Sequence, residues 1–174
     1  MNYYEITDFN PVRSDFVPPA DFVPIRRYKP EEVLSKQAID KFTSLGFELR
    51  EVQMFMTPPE TTTTIHIDGH TTSISKSAIN YVLNGVGIMK WYRLKNENIN
   101  PLTTSAGTNY IRLQPSDCEE TDSLNLSKLT LVEICQPHNI INNSKEFRYC
   151  FSIRYNTISD FESIKQRVQA WNNS

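Results

Sequence analysis

The chain has 174 residues, 39% of them hydrophobic and 22% charged, with a formal net charge of −2. That length buries a genuine core without staples, and that composition is ordinary globular usage, which excludes disordered and fibrous classes. A charge so near zero gives no electrostatic footprint for nucleic acid or for an anionic membrane surface.

Cys118, Cys135 and Cys150 are widely spaced, odd in number and form no CxxC pair. They read as reduced thiols in a cytoplasmic protein. Residues 1–10 contain acids and no apolar run, so no secretory signal is expected, and no stretch has the length to span a bilayer. A single domain over residues 1–174 is the expectation.

Prolines punctuate the first segment: Pro11, Pro18, Pro19, Pro24 and Pro30. Proline removes ladder donors and holds its preceding residue extended. Residues 1–30 therefore read as an extended leader lying on the domain, with Phe16 and Phe22 as anchors. Val33, Leu34, Ala38, Phe42 and Leu45 recur at helical spacing between Pro30 and Gly46, which predicts one helix over 30–45. At the other end, Phe161, Ile164, Val168 and Trp171 predict a helix over 159–172, opened by a Ser159/Glu162 capping box.

Between the helices the chain turns rich in Thr, Ile, Val, Tyr and Phe, broken by Gly, Pro and Asn, the strand signature. Strands are expected near 48–56, 61–68, 77–83, 87–94, 108–113, 129–135, 138–142 and 147–155. About eight short strands with flanking helices predict a mainly β fold of the double-stranded β-helix type, jelly roll or cupin-like, over about 48–155. Residues 95–107 and 114–128 are polar and aperiodic and read as loops. Asp117, Glu119, Glu120 and Asp122 make the second one acidic, a solvated surface or a lure for a basic substrate.

The chemistry concentrates in two stretches. His66-Ile67-Asp68 ends a predicted strand, where alternate residues share a face, so one imidazole and one carboxylate aim at one point. His138 follows on a later strand. Two histidines and one carboxylate with open positions are the facial-triad set for non-haem Fe(II). The plain alternatives are a hydrogen-bonded His66/Asp68 pair and a turn histidine after Pro137.

Ten residues beyond His138 comes Arg148, on a strand whose alternation puts Arg148, Cys150, Ser152 and Arg154 on one face. An arginine facing a barrel interior needs an anion, because a buried unpaired guanidinium is costly. Arg154 is the second choice for that role, or pairs with surface acids. Asn80 and Tyr81 enter the same interior with strand phase unresolved. His70 reads as a loop residue, Trp91 and Tyr92 as core or pocket wall, and Met54 and Met56 as packing.

The stretches 66–69 (HIDG), 78–84 (AINYVLN), 90–92 (KWY) and 137–144 (PHNIINNS) running on to Arg148 resemble the Fe(II)/2-oxoglutarate-dependent dioxygenases. The likeness is to the aspartyl/asparaginyl β-hydroxylase-like branch and its small stand-alone phage and bacterial relatives, and it covers roughly 50–155. It implies that His66, Asp68 and His138 hold iron as the catalytic centre. It also implies that Arg148 binds the far carboxylate of 2-oxoglutarate, and that molecular oxygen oxidises a small molecule or a protein side chain; on the strand reading, Ser152 from the face of Arg148, and Asn80 or Tyr81, would add a hydrogen bond to 2-oxoglutarate. The animal β-hydroxylases lack the acid of the HxD pair, whereas this chain has Asp68, so their substrate does not transfer. Two other classes remain open at this level. One is a cupin-type metal enzyme that needs the triad but not Arg148; the other is a jelly-roll binding module that needs neither.

Overall fold

The computed structural model describes residues 1–6, 9–68, 76–95, 102–103, 109–157 and 159–172. In chain order they form β1 (Tyr3–Glu5), β2 (Ile25–Tyr28), α1 (Pro30–Val33), α2 (Lys36–Ser44), β3 (Leu49–Thr57), β4 (Thr61–Thr62), β5 (Ile65–Asp68) and β6 (Ser77–Asn84). Next come β7 (Ile88–Leu94), β8 (Leu102–Thr103), β9 (Asn109–Leu113), β10 (Cys118–Asn125), β11 (Thr130–Glu133), β12 (His138–Asn142), β13 (Arg148–Tyr155) and α3 (Phe161–Asn172). His70 lies outside the described residues.

The first sheet runs β1-β11-β6-β13-β3-β2, and the second runs β10-β7-β12-β5-β9-β8 with β4 also on β12. From β5 onward the chain passes back and forth between the two sheets, through the β6–β7 and β12–β13 connections among others. That is the jelly-roll arrangement expected from the sequence.

The largest apolar cluster lies outside the roll. Period-2 alternation in β13 sends Phe151, Ile153 and Tyr155 to the outer face of the first sheet, where Phe42, Ile164, Val168 and Trp171 of the helices cover them. Phe42 sits 5.4 Å from the Trp171 ring and 6.1 Å from Phe47, edge-on in both cases. Phe16 of the leader packs edge-on against Phe151 at 5.3 Å, so it is an anchor as expected. Phe22 is not: it stays 49% exposed, with its ring against the part-exposed Phe147.

Several elements differ from expectation. Residues 102–103, within a stretch read as a loop, form β8, and the leader supplies β1 and β2 as the two edge strands of the first sheet. The helix over 30–45 breaks into α1 and α2. Leu34 and Ser35 are extended there, and the leader occupies the gap, with Ser35 N–H donating to the Pro11 carbonyl at 2.9 Å and Arg13 N–H to Val33 at 2.8 Å. Ser35 then caps α2, its Oγ accepting from Ala38 N–H. At α3 the cap is Asp160 rather than Ser159, with Oδ1 accepting from Ser163 N–H at 2.9 Å. Residues 61–68 form two short strands instead of one. The acidic stretch 114–128 is no loop: after a short 3-10 turn it becomes the edge strand β10, paired with β7 across a register shift between Glu120 and Asp122. Glu119 pairs with Arg93 and Glu120 with Lys90 across that ladder, so these two acids are neutralised along a charged edge.

Trimming Phe42 to alanine removes the ring that joins the helices to the sheet. It is expected to cost about 3–5 kcal/mol in urea unfolding. A loss below about 1 kcal/mol would show that the helical layer is not the main core.

Candidate metal centre

The centre is laid out along one rung of the second sheet. Trp91 of β7 opposes His138 of β12, His138 opposes His66 of β5, and His66 opposes Arg112 of β9. Directly opposed residues share a face, so all four point into the roll side of the sheet. Asp68 joins them two residues along β5. The alternate residues Ile65 and Ile67 turn the other way, into a cluster with Ile111, Leu113 and Cys118, which fixes the phase of β5 and β9.

His66, Asp68 and His138 each offer a ligand atom, and these atoms lie within 4.8 Å of one another. The two rings stand 4.4 Å apart at 52°. Each imidazole uses Nδ1 on a backbone carbonyl two residues upstream: His66 on Thr64 and His138 on Gln136, both at 2.8 Å. A carbonyl only accepts, so each proton sits on Nδ1 and each lone pair on Nε2. That is the tautomer a metal-binding histidine needs, already oriented by its own strand. His66 Nε2 is 3.5 Å from Asp68 Oδ1.

The other carboxylate oxygen, Asp68 Oδ2, accepts from Arg154 Nη2 at 3.0 Å. This corrects the sequence expectation that Arg154 pairs with surface acids: its strand faces inward, and the nearest acid across the interior is Asp68. Burial pushes the Asp68 carboxyl up, but the Arg154 guanidinium and the two imidazoles outweigh it and hold it at about 2. Burial pushes the His138 imidazole down and His66 adds to this, so it is held at about 4 despite the Asp68 carboxylate. At neutral pH the acid is charged and His138 neutral, the forms that bind a cation. The three side chains can therefore hold a metal ion.

Farther along β13 the interior contains polar groups without partners. Arg148 is 1% exposed, and neither its Nε nor its Nη2 has a hydrogen-bond partner among the described residues. Asn80 Oδ1 and Ser152 Oγ are buried in the same condition. Asn80 and Ser152 oppose each other across the β6–β13 ladder, so both face inward, which settles the phase of β6 and turns Tyr81 outward. Gly87 makes room for Arg148: a Cβ there would lie 2.3 Å from Arg148 Nε. Gly85, with φ of +81°, makes the turn that brings Gly87 in.

The structure thus brings His66, Asp68 and His138 together and places Arg148, Ser152 and Asn80 inside the same roll. Trp91 is a wall, stacked on Tyr3 at 5.6 Å with its indole N–H donating to Glu133. Cys150 is buried between Arg148 and Ser152. Gly87 and Arg112 escaped the sequence reading of the site. Arg154 was placed on the inward face with Arg148, but its pairing with Asp68 was not foreseen.

Two expectations follow for the metal-free protein. His138 titrates near 6.5 when unfolded and about 4 when folded. Between those values only the unfolded chain binds the proton, so the His138 contribution is complete above about pH 6.5 and falls by about 3 kcal/mol by pH 4. Unfolding of His138→Asn at pH 7 and pH 4.5 should show a clearly smaller drop than the parent; equal drops would remove His138 as the cause. Gly87→Ala should displace the Arg148 guanidinium and cost about 1–3 kcal/mol in a melt, as overpacking does; an unchanged melt would mean that Arg148 moves aside freely.

No protein-family model matches the chain, and no curated protein sequence does. Among solved structures it is similar to ycfD of E. coli, with a TM-score of 0.45 and 11% identity over 74% of this chain and 31% of that one. A variant of oxalate decarboxylase from Bacillus subtilis gives a TM-score of 0.39 and 8% identity over 78% of this chain and 26% of that one. The capsular polysaccharide assembling protein CapF of Staphylococcus aureus gives 0.34 and 15% over 65% and 26%. The chain spans less than a third of each of these structures' length. Likeness at that level says nothing of chemistry, which rests here on the chain's own side chains.

Proposed function

We propose that the chain is an Fe(II)- and 2-oxoglutarate-dependent dioxygenase that hydroxylates its substrate. The observation that carries this reading is the buried Arg148 with two partnerless nitrogens, in the same interior as a His-Asp-His set. The triad alone supports any cupin-type metal enzyme. A fully buried guanidinium without an anion is costly, and a carboxylate matches its fork.

His66 Nε2, His138 Nε2 and one Asp68 oxygen would hold the iron on one face. Arg154 keeps the other Asp68 oxygen, which fixes the carboxylate plane and keeps it ionised. Arg148 would take the far carboxylate of 2-oxoglutarate, with the Ser152 hydroxyl and the Asn80 amide beside it. The iron and co-substrate supply oxygen activation when bound, coupled to decarboxylation of the keto acid to succinate. The chain contributes orientation, a fixed tautomer at each histidine, and a buried interior.

Anaerobic protein titrated with Fe(II) and 2-oxoglutarate should develop a weak visible charge-transfer band that needs both ligands and is absent in His138→Ala. Arg148→Met should retain iron and weaken 2-oxoglutarate about 100-fold, the loss of a bidentate charged pair. The same variant should make the metal-free protein more stable by about 1 kcal/mol or more, because it deletes an unpaired buried charge. Iron binding without the band would favour the cupin-type enzyme that does not use 2-oxoglutarate. No iron binding would leave a binding module.

A further inference from the structure

We infer that Arg112 is the residue that selects the substrate, by pairing with an anionic group on it, a carboxylate or a phosphate. This rests on the metal-centre reading above and adds the substrate class to it.

Arg112 stands directly opposite His66 on the β5–β9 ladder, so the two backbones approach to about 5 Å and the side chains leave the sheet on the same face. Its neighbours Ile111 and Leu113 are buried on the other face and pin that direction. The rung therefore begins at the buried Trp91, passes through both histidines and ends at an exposed arginine. Arg112 marks the open end of the site.

It also differs from the other surface arginines. Arg13 pairs with Asp15, Arg26 with Asp21, Arg27 and Arg50 with Glu51, and Arg93 with Glu119, while Arg167 donates to the Gly46 carbonyl. Arg112 has no hydrogen-bond or ion-pair partner among the described residues. A guanidinium held on a strand beside a metal triad, with no acid of its own, is a standing fork for an anion.

The local charge agrees. Arg112, Arg148 and Arg154 together with a divalent ion outweigh Asp68, and a dianionic co-substrate does not cancel the excess. Of the acidic residues between 117 and 122, Glu119, Glu120 and Asp122 lie on β10, on the far side of the sheet from β9, where Glu119 pairs with Arg93 and Glu120 with Lys90. Among the described residues the group that flanks His66 on the β9 side is a guanidinium, which favours an anionic substrate over a cationic one.

The test uses full-length protein labelled with 15N-arginine, loaded with Zn(II) as an inert stand-in and saturated with 2-oxoglutarate. Its Arg112 Nε–H resonance is assigned by its loss in Arg112→Gln. Titration with acetate and, separately, with inorganic phosphate should shift that resonance saturably, with an affinity on the order of millimolar, while Arg93 moves little. Saturation by acetate assigns a carboxylate and saturation by phosphate assigns a phosphate. Arg112→Gln should still bind 2-oxoglutarate, because Arg148 and not Arg112 holds its far carboxylate in the proposed site. A linear shift no larger than that of Arg93 with both anions overturns the inference. Failure of the loaded protein to bind 2-oxoglutarate overturns the proposed function beneath it, and is read separately from the same sample.

Discussion

Arg154 reaches from β13 across the interior to Asp68 at the end of β5. This one ion pair ties the first sheet to the second beside His66 and His138, and much of the candidate site depends on it. It keeps an almost buried carboxylate ionised, leaves one oxygen for a cation, and fixes the level at which the two sheets face each other. Removing Asp68 would leave the buried Arg154 guanidinium without its acid, far costlier than losing a surface pair.

The pair depends in turn on strand phase. A one-residue slip of β13 would turn Phe151 and Ile153 into the roll and throw Arg148, Ser152 and Arg154 onto the helices. The helical layer prevents this, because Phe42, Ile164, Val168 and Trp171 accept only the aromatic and aliphatic face. The leader contributes as well: Phe16 packs on Phe151, and the leader's backbone satisfies the break between α1 and α2. An apolar contact on the outside thus aims a polar set on the inside.

The parts of the site legible in the sequence are those fixed by local periodicity. His66 and Asp68 lie two apart on a strand, and Arg148 and Ser152 share a phase, so one strand assignment was enough to group them. The interior placement of Asn80 needed its partner Ser152 across the ladder to settle it. Arg112 needed more: it gains meaning only from standing opposite His66, and cross-strand register between segments far apart in sequence is not written in either segment. The Arg154–Asp68 pair required the packing of two sheets. β10 was hidden for a different reason. Its charged residues follow edge-strand chemistry, which in composition looks like a loop. The helix break at Leu34–Ser35 was masked because its apolar spacing continues across it while its backbone bonds go to the leader.

The separation of the large apolar core from the roll has a consequence for how such a chain can change over generations. The larger apolar cluster lies outside the roll, while the interior combines a smaller one around Met89 and Trp91 with buried polar groups. Buried groups left unmatched, such as Ser152 Oγ and Arg148 Nε, are costs that the outer layer offsets. A change at Phe42, Phe151 or Trp171 loosens the cohesion that offsets those costs, whereas exchange of Ser152 for an apolar residue of similar size removes one of them; Gly87 and the Arg154–Asp68 pair are interior positions that folding itself holds.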